Sequence, residues 1–486
     1  MNLYEIISNL KFIGIKNYKE CEIDSLTCNS TEKFDNSIYF CINGFKQDGH
    51  LYAAEAIKNG AICLVVEKYL DLPITQILVE NTRYAMSYIS SVFYNTKNSK
   101  MKFIGITGTN GKTTTTFLIR EILTKLNKKV GLIGTEGVFI NSLMLPAMLT
   151  TPDPINLHRL IRCMEDNGCE YCVMEVSAHA IALNKIDTIN YDVVGLTNIT
   201  NDHLDFFLNM DNYIKCKSSL FSSKYAKQAV INLDSKNAKQ IAKNADIPTL
   251  TFGKDGSNKL ISVETDLQGS NFKIEVNQKQ YTISTNLIGE HNAYNLLMAI
   301  TVLTGLNFEI KEILSVIKTT NFIIPGRLNM LKVDANFNVV IDYAHTPDGI
   351  KNVLKALKAI SGSKIITVFG CGGNRDKTKR NDMGKVAVAL SDYVVVTSDN
   401  PRDENPEMII DDIVRDINSK KMVRITDRRS AIEHALSIAK ENDIVAILGK
   451  GAETYQEING IKKQFSDYEV VDNYFKYSIK EVIKLW

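Results

Sequence analysis

Apolar positions along the chain follow two rhythms that take turns, and their alternation predicts an α/β protein. Early in the chain, apolar runs at 37–41 and 62–66 read as buried strands, with a helix over 51–59 closed by Gly60. Residues 102–106 form the next strand, and from 113 to 126 the apolar positions recur at helical spacing. Asp153-Pro154 starts another helix, with the aspartate as N-cap and the proline in the first turn, and a strand follows at 171–176. Strands and helices keep alternating to about residue 233, the pattern of a mostly parallel sheet covered on both faces. From 250 to 288 the period shifts towards two, with turns at Asp255-Gly256-Ser257 and Gln268-Gly269-Ser270, which predicts a small antiparallel meander. Beyond Ile324-Pro325-Gly326 a second strand and helix series begins, with strands at 339–342, 365–369, 393–397 and 444–448.

A chain of 486 residues is too long for one core, and the pattern divides it into three expected domains. These are 1–97, a central unit at 98–324, and a Rossmann-like unit at 325–486. The polar stretch at 95–100 is the expected linker, and hinges are expected near 97 and 325.

Charge narrows the partners. Fifty-seven basic and 55 acidic residues leave a formal +2, so no strong basic field exists to hold nucleic acid or an anionic membrane. Apolar runs such as 62–66 fall far short of the roughly 18 residues that span a bilayer, and Glu5 lies where a signal peptide would be basic. A soluble, cytoplasmic monomer acting on small molecules is expected. Of nine cysteines, only Cys169 and Cys172 form a Cys-x-x-Cys pair. With no second pair or histidine at a metal-like spacing, they read as buried free thiols in a reducing compartment.

The strand at 102–106 runs into Gly108-Thr109-Asn110-Gly111-Lys112-Thr113-Thr114 and then a helix. A glycine turn between a strand and a helix N-terminus presents unpaired backbone N–H groups to an anion. Gly108 and Gly111 let the backbone approach phosphate oxygens, Lys112 can reach terminal phosphates, and the Thr113 hydroxyl suits Mg2+. The strict phosphate-loop pattern has a glycine where this chain has Ile106. Two later strands end in Glu175-Val-Ser177-Ala-His179 and Asn198-Ile-Thr-Asn-Asp202-His203-Leu-Asp205, at the strand ends where α/β sheets bind ligands. Glu175 and His203 make sense as Mg2+ ligands only if they converge with Thr113. Four of the seven histidines (His179, His203, His291, His345) lie in such polar clusters.

The wording of the glycine loop resembles the ATP loop of the Mur ligases, which attach amino acids to peptidoglycan precursors. Other stretches resemble the family in the family's order over nearly the whole chain. They are Ser30 near the N-terminus, Thr150-Thr151-Pro152, Tyr213-Ile-Lys-Cys-Lys217-Ser-Ser-Leu-Phe221, Gly289-Glu-His291-Asn292, Pro325-Gly326-Arg327 and Asp342-Tyr-Ala-His345. In the last unit they are Arg375 after Cys371-Gly-Gly-Asn, then Asp399-Asn400-Pro401-Arg402, then Gly449-Lys-Gly-Ala-Glu453.

The resemblance implies a three-domain ligase with ATP and Mg2+, closest to the branch that adds meso-2,6-diaminopimelate to UDP-N-acetylmuramoyl-L-alanyl-D-glutamate. It places ATP on the glycine loop with Asn292, Arg327 and Asp342. The UDP-muramoyl dipeptide falls to Ser30, Thr150, Thr151, Ser177 and Lys185. Diaminopimelate falls to Arg375, Asp399, Asn400, Pro401, Arg402, Gly449 and Glu453. Thr113, Glu175, His203 and Lys217 become metal ligands, and Lys217 is expected to be carbamylated to N6-carboxylysine. Lys112, Lys217, His203 and Glu175 are the expected catalytic set. The chain departs from the family pattern at Asn29-Ser30-Thr31 for Asp-Ser-Arg, Lys185 for Arg, Asn374 for Asp and Ala452 for His. Alternatives from the residues alone are a lysine-adding or other relative, a phosphotransferase without amide synthesis, and a nucleotide-binding regulator without turnover.

Overall fold

The computed structural model describes residues 1–45, 47–147, 149–360 and 364–483, with side chains described to residue 476. Among the described residues three large sheets follow one another along the chain, with a two-stranded hairpin, Tyr455–Ile458 with Ile461–Gln464, near its end. The first has five strands, in the order Gly14–Lys16, Thr75–Leu78, Ala61–Val66, Ser37–Phe40, Ser25–Thr27; only the outer pair, 14–16 with 75–78, is antiparallel. The expected helix over 51–59 begins as a 3-10 turn, Gly49–Tyr52, because Asp48 accepts the His50 N–H at 3.0 Å; α-helix runs over Ala53–Lys58.

The central sheet has eleven strands. Its parallel middle places Lys102–Thr107 between Val193–Leu196 and Tyr171–Glu175, with Val130–Gly134 beyond. Lys112–Lys125 and Glu290–Gly305 cover one face, burying Leu118, Ile119, Ile122, Leu296 and Ile300. Pro154–Asp166 covers the other with Leu157 and Ile161, its N-cap Asp153 accepting from the Asn156 N–H at 3.1 Å. The expected meander forms as Asn258–Asp266, Gly269–Val276 and Lys279–Thr285, but it is no separate unit. Thr249–Gly253 pairs parallel with its first strand, so the meander prolongs the central sheet. At the opposite edge a hairpin that the apolar rhythm did not announce, Gly137–Ile140 with Leu143–Leu145, extends the sheet further.

The third sheet has six strands, ordered Asn329–Leu331, Asn338–Asp342, Ile444–Leu448, Ile365–Phe369, Tyr393–Val396, Met422–Arg424, parallel except for its first pair. The stretch at 95–100 is less free than its composition implies. Thr96 is buried, and its hydroxyl lies 2.6 Å from Nδ1 of the fully buried His158. Among the described residues no helix is long and apolar enough to cross a membrane. Cys169 and Cys172 are both buried and unbridged.

Candidate active site

The carboxyl ends of the central strands and of the third sheet face one cleft of about 1530 Å3. The glycine loop forms its floor. Gly108 and Gly111 adopt φ of 146° and 87°. A Cβ on Gly108 would come within 1.8 Å of the Thr197 hydroxyl, and one on Gly111 within 2.4 Å of Asn295 Oδ1, so both positions exclude a side chain. Asn198 holds the loop from the neighbouring strand end, accepting the Thr109 N–H at 2.9 Å and the Asn110 N–H at 3.0 Å. Lys112 donates to the carbonyls of Gly108 and Thr109, both at 3.0 Å, and burial pulls its ammonium below its ordinary pKa. Thr114 is buried on the first helical turn.

The fully buried Glu175 is the acidic centre of the floor. It accepts from the Thr113 hydroxyl at 3.0 Å, the Thr135 N–H at 2.8 Å and the Thr135 hydroxyl at 3.3 Å. Thr113 and Glu175 therefore converge as the sequence requires. Thr150 lies 3.0 Å from Thr135, and Thr151 donates to the Glu175 carbonyl at 2.8 Å. Ser177 donates its N–H to Thr151 at 3.1 Å, and Lys185 reaches the Thr151 carbonyl at 3.2 Å. Burial lowers the Lys185 pKa.

His203 sits at a left-handed φ of 57°, with Nε2 3.3 Å from Asp202. Burial lowers it to about 3, against the pull of Asp202. Burial works against the Asp202 charge, but Lys379 and His203 beside it hold its carboxyl below the ordinary value. Lys217 is 1% exposed and donates to the Thr107 hydroxyl at 3.2 Å and the Gly108 carbonyl at 3.0 Å. Burial, then the neighbouring Lys112, pushes its pKa well below the ordinary lysine value. Tyr213 touches both residues, its ring 4.9 Å from the Lys217 ammonium and 6.3 Å from the His203 ring.

From the third sheet, Arg327 reaches across to donate to the Thr113 hydroxyl at 3.1 Å. Asn292 opens the long helix and binds the Ile288 carbonyl at 3.0 Å. Asp342 accepts two backbone N–H groups, from Leu328 and Ala344, both at 2.7 Å. Its carboxylate thus braces the turn that carries Arg327, and burial pushes its pKa up to about 6. At the far end, Arg375, Asp399, Asn400, Arg402, Gly449 and Glu453 all line the cleft. Lys450, fully buried, donates to Asn400 at 3.1 Å and Glu453 at 2.8 Å. Arg402 donates to the Gly373 carbonyl at 2.8 Å and pairs with Glu457 at 3.3 Å.

Four expected residues stand off the cleft surface. Ser30 lies in the first unit, buried and donating to Glu55 at 2.5 Å, and is not among the cleft's lining residues; neither are Pro401, Gly108 and the fully buried Lys217, which reaches the loop at the Gly108 carbonyl, 3.0 Å away. His50 is also a packed residue, its ring held by Asp48 at 2.6 Å and by the Glu67 N–H at 3.0 Å. The residues that pattern reading passed over are partners of the expected ones: Thr135, Glu136, Lys379 and Glu457, while Lys450 stood inside the motif from Gly449 to Glu453 with no role of its own. Each of the four gains its role from a contact distant in sequence, which no local pattern signals.

Residues 106–303 match the Mur ligase middle domain and residues 326–451 the domain described as "Mur ligase, glutamate ligase domain". The chain is 42% identical over 450 residues to UDP-N-acetylmuramoyl-L-alanyl-D-glutamate--2,6-diaminopimelate ligase of Aquifex aeolicus, covering 92% of this chain and 93% of the relative. To the enzyme of the same name from Caldanaerobacter subterraneus it is 40% identical over 478 residues, covering 97% and 98%. A solved structure of a ligase of that name superposes with a TM-score of 0.66 at 28% identity, over 94% of this chain and 95% of the other. MurF ligase from Thermotoga maritima, solved in complex with ADP, shares the fold at a TM-score of 0.65 and 19% identity, over 94% and 98%.

Proposed function

The chain belongs to the Mur ligase family, and we propose that it adds meso-2,6-diaminopimelate to UDP-N-acetylmuramoyl-L-alanyl-D-glutamate, with conversion of ATP to ADP and phosphate, in cytoplasmic peptidoglycan precursor synthesis. The observation that carries this reading is the single cleft onto which both the phosphate loop and the Arg375, Arg402 and Glu453 loops open. An oxygen of the D-glutamate side-chain carboxylate attacks the γ-phosphorus, the bond to ADP breaks, and an acyl phosphate forms. The diaminopimelate amine then attacks the acyl carbon, phosphate leaves, and the nitrogen loses its proton to give the amide.

The loop N–H groups and Lys112 hold the phosphates, and Arg327 faces the transferred group with a permanent planar cation. Thr150, Thr151, Ser177 and Lys185 lie together beside Glu175, where they can orient the dipeptide carboxylate. Ser30 and the first unit would hold the uridine end. The Thr113 hydroxyl and Glu175 carboxylate are 3.0 Å apart, an oxygen pair that fits Mg2+, which takes few protein ligands; His203 and modified Lys217 complete the proposed set. Bound there, Mg2+ would offset phosphate charge. Burial, with Lys112 beside it, lowers the Lys217 pKa and so favours the neutral amine, the form that adds to CO2 with formation of a C–N bond and loss of a proton. We take 1–97, 98–324 and 325–486 as the domain limits.

Phosphate release, measured with each candidate amino acid and with or without the UDP-muramoyl dipeptide, tests the reading. Release should require ATP, dipeptide and diaminopimelate together. Release independent of an amino acid would make the protein a phosphotransferase, and none under any condition would make it a nucleotide-binding regulator.

A further inference from the structure

We infer that Glu136 is a positioning residue that aims the Arg327 guanidinium at the phosphate loop, an inference that rests on the reading of Arg327 given above. Thr135 and Glu136 form a two-residue turn between Val130–Gly134 and Gly137–Ile140. Glycines flank it on both sides, and it is pressed against the acidic centre: a Cβ on Gly134 would lie 2.5 Å from Glu175 Oε1. The turn therefore presents two adjacent side chains to two different partners. Thr135 donates to Glu175 on the cleft floor, while Glu136 crosses to the third sheet's unit and meets Arg327 NH1 at 3.1 Å.

The guanidinium is held along one edge and free to act along another. NH1 is engaged by Glu136 and by the Gly326 carbonyl at 3.1 Å, which leaves NH2 directed at the Thr113 hydroxyl, also at 3.1 Å. The ring of Tyr343 lies 4.4 Å from the guanidinium carbon and backs it. The Glu136 and Arg327 side chains are only 10% and 15% exposed, so solvent screens this pair less than it screens a surface pair. A planar donor fixed along one edge keeps its other edge in a set direction, which an arginine free to rotate does not. Glu136 thus orients the cation that phosphoryl transfer needs, without meeting a reacting atom.

The test is a double-mutant cycle on turnover, with native enzyme, Glu136→Ala, Arg327→Ala and the double variant, and Glu136→Gln as the conservative replacement. Glu136→Ala should lower kcat by roughly ten- to a hundredfold, the worth of one hydrogen bond to a charged group, with the KM values for dipeptide and amino acid unchanged. Glu136→Gln, whose amide oxygen still accepts from NH1, should recover most of that loss. In the double variant the Glu136 substitution should add nothing to Arg327→Ala. A native kcat in Glu136→Ala, or a full additional loss on the Arg327→Ala background, overturns the inference while leaving Arg327 in place. If Arg327→Ala alone turns over like the native enzyme, the phosphate reading of Arg327 fails first and the inference falls with it. Should Glu136→Ala fail to fold, Glu136→Gln against Glu136→Asp carries the test: the shortened aspartate should behave like alanine, and native kcat in the aspartate variant overturns the inference.

Discussion

A buried lysine and a paired arginine give the most direct tests at the residue scale. Lys217 donates to a hydroxyl and a carbonyl beside the Tyr213 ring, and burial next to Lys112 shifts it towards the neutral amine that adds to CO2. Lys217→Ala should abolish turnover, with short carboxylates restoring part of it by standing in for the carbamate oxygens; full activity in the variant would remove Lys217 from the mechanism. Arg402 is the expected partner of the carboxylate that distinguishes diaminopimelate from lysine. Left unpaired and buried, it would cost lysine roughly 3 to 5 kcal/mol. Here Glu457 pairs with it at 3.3 Å, so the loss with lysine bound falls to about 1.5 to 3 kcal/mol, or roughly ten- to a hundredfold in kcat/KM. Arg402→Ala should shrink the preference by that factor, and an unchanged preference sinks the assignment. Lys217 and Arg402 were legible because each stands in a motif. Glu457 was not, because it belongs to the hairpin Tyr455–Ile458 with Ile461–Gln464, and only folding brings it to Arg402.

Elements were legible where period and punctuation agreed. The strand Lys102–Thr107, the glycine turn and the helix Lys112–Lys125 arise within one residue of their expected limits, because an apolar run, glycines and helical spacing all mark the same boundary. The hairpin 137–145 was missed because it is a short edge element, with Leu143 and Met144 exposed and Val138 and Ile140 turned inward. The turn that leads into it carries Thr135 and Glu136, so these two missed site residues go with the missed element. The glycine turn also makes a quantitative prediction. Gly111 caps the helix at φ 87°, a left-handed conformation that costs a non-glycine residue about 1 to 2 kcal/mol, and its Cβ would strike Asn295. Gly111→Ala should lower the melting temperature by only a few degrees yet abolish binding of an ATP analogue in calorimetry, since the clash falls inside the phosphate cradle. Native affinity in that variant would mean the loop does not hold the nucleotide.

At the scale of the whole molecule, buried histidines set the response to acid and polar pairs set where the chain can move. His158 is held below its ordinary pKa, at about 3, by burial, and His203, His291 and His345 are lowered in the same way, to about 3, 4 and 4. Between the ordinary value near 6.5 and these folded values the unfolded chain binds protons that the folded chain refuses. Stability is therefore full above about pH 6.5 and is lost as pH falls, by up to about 1.4 kcal/mol per unit for each histidine. Urea midpoints from pH 7 to 4 should fall accordingly, and His158→Gln should make the fall shallower; an unchanged slope would exclude His158 as a contributor. His158 also decides between the two expected hinges. Its Nδ1 meets Thr96 at 2.6 Å and its Nε2 meets Thr188 at 2.9 Å, which in turn lies 3.0 Å from Ser87. Ile155, on the same helix, packs into the first unit's core. The first and central units are thus joined by a buried polar network and apolar packing, which oppose a hinge near 97. The join to the third unit includes largely buried polar contacts: Arg327 with Glu136 at 3.1 Å, Lys379 with Asp202 at 3.4 Å, and Asn110 with Asp348 at 3.4 Å, with Ile288 as an apolar contact. Polar pairs can exchange partners for water or bound phosphate when the units part, while the apolar packing of the first join cannot, so the hinge near 325 is the one free to open. Distance labels placed across each junction should show the central-to-third separation shrinking with an ATP analogue plus dipeptide, while the first-to-central separation stays constant. Equal movement at both junctions would overturn this assignment of the hinge.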